Sequence, residues 1–467
     1  MKKETRKIGR EPKKIELNLS KDKVVLRAII AGVCLFLGVG LILNSCSNML
    51  NKSQYLVIDY PEINDVNEVE SKLFDGNVEL NYFYSSDSED SRSLVMSKIN
   101  TILEENMVNL HKLCDYNQLY KENNEIIHNL KYINDNPNTW INVTDSLYSL
   151  LKEAESLRIN TEGKYSIFSG KLNELWGDIF ATYGVHGNDS SNVTLFDPEY
   201  DSNKKELIDL TVNKINKETT NLEFKDETKE VKFNVLEEDK EYVKLDLGLL
   251  ETSFYIDTLK KLLLEEKLNS GYISSSDGMI ATLGINKNST GWIFNSYSYQ
   301  SIFNVDGSII YDYSFDFNGA LSYMSFNPLL NIKNHSYASK NYYYLDIEDN
   351  INIRSMIINA KTGYSNNSAH STFTFSDNTN ISNQLVDNYN LFFNEFEYNN
   401  TYLTKYENNE NYGAIVIFND GNTNIEFKGK TTMLYSKLVS NYFNEEYIPY
   451  VTISEVVKAK IEAKEGE

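Results

Sequence analysis

The sequence predicts an α+β fold with antiparallel sheets, and three observations carry that reading. Helical spacing of apolar residues dominates up to about residue 222, alternating strand patterns dominate after it, and Asp-Gly pairs punctuate the strands as hairpin turns. No internal repeat and no regular alternation of strand and helix is present, which argues against a parallel βαβ array.

In chain order, residues 1–23 are basic and polar. Residues 1–27 hold ten Lys/Arg against four Asp/Glu, a net +6, which leaves −28 for the rest of a chain whose total is −22. So acidic a body repels nucleic acid, and no nucleic-acid partner is expected. Ala28–Leu43 is sixteen residues without a charge. With its flanks, residues 24–46 are long enough to cross a bilayer, which takes about twenty residues. The basic flank stays cytoplasmic, so the body faces outward at the cell membrane. Two readings of this segment stand: a retained single-span anchor, or a lipoprotein signal cut before Cys46, since Leu43-Asn44-Ser45-Cys46 approximates a lipobox. Cys114 is the only cysteine of the body, which excludes a disulfide within it.

Residues 47–77 read as a stalk. Val78–Tyr84 alternates as a strand, and the acids and serines at 87–91 open a helix with Val95, Ile99, Ile102, Leu103, Met107 and Leu110 on one face. Tyr116–Asn136 reads as loop with a short helix. Thr144–Leu157 is helical, with Leu147, Leu150, Leu151, Ala154 and Leu157 inward, and Glu206–Ile215 is a further helix. Strands are expected at Thr219–Phe224, Glu230–Val235, Trp292–Tyr297, Ser308–Phe315, Tyr342–Ile347, Ser371–Phe375 and Gly413–Phe418. Ser454–Lys464, within a C-terminal extension of residues 429–467, reads as a charged helix.

Lys244–Gly284 is the most patterned stretch. Lys244–Leu247 alternates as a strand. Past Gly248, Tyr255, Leu259, Leu262 and Leu263 fall on one helix face, and Tyr272–Ser276 and Met279–Leu283 flank Asp277-Gly278 as a hairpin. A helix start just after a strand holds phosphate well, because its N–H groups and dipole point outward there; an ordinary α/β unit without a ligand has the same pattern. Of the five histidines, His111 and His128 read as surface or cap groups, and His186, His335 and His370 fall in loops. None has metal spacing to another His or Cys.

Five segments, in this order, resemble the ApbE family, the FAD:protein FMN transferases. Tyr116–Asp135 looks like that family's segment after its first long helix. Thr161–Trp176 (TEGKYSIFSGKLNELW) is similar to its T-x-G-a-F-D/N block, which ends on L-x-x-x-W. Leu245–Asp257 is similar to L-D-L-G-x-x-A-K-G-Y-x-x-D, Ile357–Tyr364 (IINAKTGY) to the end of H-I-I-D-P-x-T-G-Y, and Ser382–Leu391 to A-D-x-x-S/T-T. The resemblance spans residues 78–428 and implies an ApbE-like, T-fold-related body of mixed antiparallel sheets with packed helices. It implies FAD as substrate and Mg²⁺ as the ion that neutralises phosphate charge while a Thr or Ser hydroxyl of a target flavoprotein takes FMN and AMP leaves.

Carried onto this chain, the resemblance assigns flavin-nucleotide contacts to Lys164, Tyr165, Ser166, Asp246, Thr252, Ile357, Thr362 and Gly363. It assigns metal contacts to the Leu249 backbone, Asn383 and Asp387. The family pattern is altered at several chemical positions. Its Lys-Gly pair is Thr252-Ser253, its Gly-Gly pair is Ser276-Asp277, its His is Met356 and its Asp-Pro is Asn359-Ala360. A thioether cannot transfer a proton, so the catalytic group is left unassigned; His370, beyond the turn, is the candidate substitute. In one register the metal Asp and Thr are Asn383 and Asp387; in another, Asp387 is the metal Asp and Leu391 stands at the Thr. Expected, then, is a membrane-anchored, ApbE-like FMN transferase acting on extracytoplasmic flavoproteins of an electron-transfer system, with activity reduced or lost and FAD and Mg²⁺ binding open to loss. The alternative is a non-catalytic flavin-binding or structural surface protein that keeps the fold. A carbohydrate-binding module is a third class and needs an exposed aromatic strip without a flavin cleft.

Overall fold

The alternation that dominates the second half of the chain builds one eight-stranded sheet in the computed structural model. The structure describes residues 54–84 except 69, 89–183, 195–275, 278–284, 292–297, 312–317, 320–325, 330–332, 335–336, 342–347, 350–365, 369–376, 380–393, 412–419 and 431–435. The strands are β1 (Gln54–Leu56), β2 (Val78–Tyr84), β3 (Gly271–Ser275), β4 (Met279–Thr282), β5 (Ala320–Ser325), β6 (Ala369–Ser376), β7 (Tyr412–Asn419) and β8 (Thr431–Tyr435), side by side in that order. From β2 to β8 every neighbour is antiparallel. Ile273 of β3 lies opposite Leu80 of β2 and Ala281 of β4, so one row of apolar side chains crosses three strands.

Between β2 and β3 the described residues form seven helices: α1 (Glu89–Ile102), α2 (Val108–Cys114), α3 (Leu130–Asp135), α4 (Asp145–Asn160), α5 (Gly170–Tyr183), α6 (Ser202–Ile215) and α7 (Leu249–Glu265). A turn of π-helix, Leu103–Met107, joins α1 to α2. Helix α8 (Ile381–Phe392) follows β6. Side chains placed as their sequence suggests start several helices: the Thr144 hydroxyl accepts from Leu147 N at 3.3 Å, and Asp201 accepts from Asn203 N and Lys204 N. Helix α7 lies over β3 and β4, and α8 lies over β5 and β6 and against α7. Three short strands, Ile141–Asn142, Glu230–Asn234 and Asn221–Lys225, form a second sheet, and Trp292–Tyr297 and Tyr342–Ile347 belong to two further small ones.

The chain divides into two compact units, residues 1–54 with 84–91 and residues 55–83 with 92–467. The core and the site described below belong to the second. Residues 24–46, the tail 454–464 and His186 lie outside the described residues. Among the described residues no helix is long and apolar enough to cross a membrane.

Several expectations are corrected. Lys244–Leu247 is not a strand: Lys244 makes one parallel bridge to Ser169, and Asp246 N donates to Ile167 O at 2.8 Å. Its alternation misleads because all of Leu245, Asp246 and Leu247 are buried. Residues 56–77, read as stalk, pack onto the body: Leu56, Ile63, Leu73 and Phe74 are buried, and the Phe74 ring lies 5.0 Å from that of Tyr255. His111 is buried rather than on the surface, its ring 6.3 Å from Tyr255. Helix α5 and strand β5, which no periodicity announced, are also present.

Candidate functional site

Two buried leucines, Leu245 and Leu247, hold the chain where it enters α7, and Asp246 between them is 6% exposed. Its carboxylate accepts from Gly248 N at 2.8 Å and from Asn173 Nδ2 of α5 at 2.8 Å. Burial raises the Asp246 pKa, and these two donors oppose that rise. Gly248 has φ +53°, a conformation that suits glycine, and caps α7 without a side chain. Thr252 and Ser253 are buried one turn on, and Ser253 Oγ donates to Leu250 O at 2.8 Å.

The loop 161–169 touches three other segments. Thr161 shapes it, donating to Leu157 O at 2.8 Å and accepting from Tyr165 N at 3.2 Å. Tyr165 donates its hydroxyl proton to Leu247 O at 3.1 Å and meets the Tyr389 ring edge-on at 5.6 Å. Lys164 O accepts from Ala360 N at 2.9 Å, while Lys164 Nζ donates to Asn390 Oδ1 of α8 at 3.1 Å and lies 3.6 Å from Glu162. Burial lowers the Lys164 pKa, and Glu162 opposes this. Ser166 turns inward and accepts from Phe168 N.

The third segment is the turn 355–365. Asn359 organises it: its carbonyl accepts from Gly363 N at 2.8 Å and Thr362 N at 3.1 Å, and its side-chain oxygen accepts from Lys361 N at 2.9 Å. Gly363 has φ +82°, and its carbonyl accepts from the fully buried Trp176 Nε1 at 2.8 Å. Asn216, just past the C-terminal end of α6, donates to Ala360 O at 3.1 Å. Met356 and Ile357 are half-buried, and Thr362 is exposed.

Helix α8 closes the set. The carboxylate of Asp257, from the middle of α7, accepts from Ile381 N at 2.8 Å and Ser382 N at 3.0 Å and so caps α8 from another helix. Burial pushes its pKa up to about 6 against those donors. Asn383 is exposed, whereas Asp387 and Leu391 are buried. Between the two registers read from the sequence, burial separates an inward carboxylate at 387 from a solvent-facing amide at 383.

Lys164, Tyr165, Asp246, Thr362 and Gly363 therefore belong to segments that bond to one another. Ser166 and Thr252 are buried beside them, and Leu249 is the first residue of α7. Sequence reasoning missed Asn173, Asn390 and the capping role of Asp257, because each acts on a partner more than seventy positions away. Ser276-Asp277 and the His370 side chain lie outside what is described. Among the described residues no group of three His, Cys, Asp or Glu is placed to hold a metal. Mg²⁺ on a nucleotide needs only one or two carboxylates, because phosphates and water complete its shell. Asp387 supplies one carboxylate, and Leu391 adds no donor.

Fold and site together define an α+β domain in which a bare helix start, a tyrosine-bearing loop and a glycine turn meet. Residues 92–305 match the model of the ApbE family. The ApbE protein of Thermotoga maritima is 16% identical, covering 83% of this chain and 100% of its own, with a TM-score of 0.52. The flavin transferase ApbE of Vibrio cholerae is 16% identical over 84% of this chain and 99% of its own, with a TM-score of 0.51. No curated protein matches. The resemblance to the ApbE family is thus borne out, and the mixed antiparallel fold is the one seen in ApbE structures.

Proposed function

We propose that this chain is an ApbE-like flavin-nucleotide-binding domain, held at the outer face of the cell membrane by residues 24–46, in which FMN transfer to Thr or Ser of extracytoplasmic flavoproteins is reduced or lost. The observation that carries this reading is the loop 161–169. Through Tyr165 it bonds to Leu247 at the start of α7, and through Lys164 it bonds to Ala360 of the glycine turn and Asn390 of α8. Those are the segments to which the resemblance assigns flavin-nucleotide and metal contacts.

In this reading the start of α7, which Gly248 caps without a side chain, turns the positive end of its dipole toward phosphate. Mg²⁺, when bound, would neutralise phosphate charge, held by Asp387 and the Leu249 carbonyl. The case for weakened transfer rests on three residues. Met356 replaces a group able to move a proton, Leu391 is apolar, and Thr252 replaces a lysine. The membrane partner and a flavoprotein subunit as target follow from the outward orientation. Whether Cys46 is lipid-modified or the span is retained is read by mass spectrometry of the N-terminal peptide.

The test uses the full chain in detergent micelles, titrated with FAD in Mg²⁺ or in EDTA, with flavin absorbance and AMP release as readouts. Flavin should bind under both conditions, more tightly with Mg²⁺, and AMP release should be far below one equivalent. Failure to bind FAD under either condition overturns the reading; rapid AMP release overturns the loss of activity.

A further inference from the structure

We propose that the buried Asp197–Arg354 pair, outside every motif of the resemblance, is a positioning pair that fixes the shape of the 355–365 turn and thereby its affinity for a flavin nucleotide. The inference rests on the nucleotide reading above for its second half only. Arg354 is 4% exposed and Asp197 fully buried, and Arg354 Nε donates to Asp197 Oδ2 at 3.1 Å. The other carboxylate oxygen accepts from Glu199 N at 2.7 Å, so Asp197 is itself held rigidly. The guanidinium carbon lies 4.8 Å from the centre of the Tyr364 ring, a cation–π contact. Tyr364 in turn meets Trp176 edge-on at 5.8 Å, and Trp176 holds the carbonyl of Gly363.

The base of the turn is closed at the same level. Ser355 N donates to Ser365 Oγ at 2.8 Å, and Ser365 Oγ donates to Ser355 O at 2.9 Å. Asp197 belongs to the lead into α6: Tyr200 N and Asp201 N donate to its carbonyl, and Asp201 caps the helix. At the far end of α6, Asn216 donates to Ala360 O, and between the two ends Ile208 and Val212 lie beneath Gly363. Helix α6 is thus a brace tied to the turn at both ends. The Arg354 pair is a charged tie, and it acts through Tyr364 on the residues that would face the ligand. A buried ion pair is seldom retained for stability alone, since apolar residues of similar volume often serve as well. That property separates a positioning role from a structural one.

The experiment compares the full-length wild type, Asp197→Asn, and the double variant Asp197→Leu/Arg354→Met in micelles, well below their melting temperatures. Two readouts are taken: the FAD dissociation constant, and the rate of tryptic cleavage after the exposed Lys361. Asp197→Asn should weaken FAD at least tenfold and speed that cleavage at least tenfold. The double variant should recover the melting temperature of the wild type while keeping weak binding and fast cleavage. Recovery of binding and protection together with stability would overturn the positioning role, as would wild-type values of both in Asp197→Asn. Should the wild type bind no FAD while the cleavage difference persists, the nucleotide reading fails and the brace stands.

Discussion

Replacing Gly363 by alanine tests the turn where it is most constrained. Its φ of +82° lies in the left-handed region, which costs an L side chain roughly 1–2 kcal/mol. A Cβ built there lies 2.7 Å from Ile208 Cγ2 and 2.8 Å from Val212 Cγ2, both on α6. Contacts so short force side chains or backbone to shift, and overpacking of this kind costs about 1–3 kcal/mol. The two effects are separate, so Gly363→Ala should lose about 2–5 kcal/mol, a large share of the roughly 5–15 kcal/mol that stabilises a domain. If the turn shifts to relieve the clash, the bond from Trp176 to the Gly363 carbonyl breaks as well. Urea unfolding followed by tryptophan fluorescence measures the loss. Val212→Ala removes one of the two clashing atoms, so Gly363→Ala should cost less in a Val212→Ala background than in the wild type. A loss below about 0.5 kcal/mol would refute the claim that the turn is packed against α6, since surface changes fall within that range.

Further predictions concern the groups around that turn. Asp257 has an ordinary value of 3.8 and is pushed up to about 6 in the fold, so its contribution to stability is complete below pH 3.8 and is lost as pH rises to 6. At 1.36 kcal/mol per unit this is about 3 kcal/mol. Urea midpoints at half-unit steps from pH 4 to 7 should show a falling slope that Asp257→Asn flattens; equal slopes in both proteins would show that burial does not control this carboxyl. Asp387→Asn should reduce FAD affinity in Mg²⁺ to its value in EDTA and leave the EDTA value unchanged, as read by flavin fluorescence. A persistent Mg²⁺ effect would remove Asp387 from the metal site. Tyr165→Phe deletes the donor to the buried Leu247 carbonyl and should cost about 1–3 kcal/mol in urea unfolding, with weaker FAD binding. An unchanged midpoint would mean that water replaces the hydroxyl.

What the sequence made legible follows from how far each force reaches along the chain. The face Tyr255, Leu259 and Leu263 of α7 is buried as its spacing predicts, and Leu262 is half-buried at its edge. Helix α4 is capped by Thr144, and the hairpin of β3 and β4 has Gly278 at φ +85°. These are local effects, set by residues within a turn or two, and the alternation or helical period records them. Asp246 shows where that record ends. An acid between two leucines reads as the wet side of a strand, yet the leucines and the acid are all buried, because Asn173 from another helix and the amide of Gly248 take the place of water. Asp257 was legible as a matching acid in a motif, but nothing in its neighbourhood announces that it caps a helix 124 positions later. The same holds for Arg354 and Asp197, 157 apart. A polar residue in a sequence says what it can bond to but not what the fold brings to it. The residues that tie the loop 161–169, the start of α7, the glycine turn and α8 into one place are nearly all of this polar kind. A resemblance in motif order reached that place where periodicity did not, because motif order records which distant segments meet, and the fold then supplied the partners.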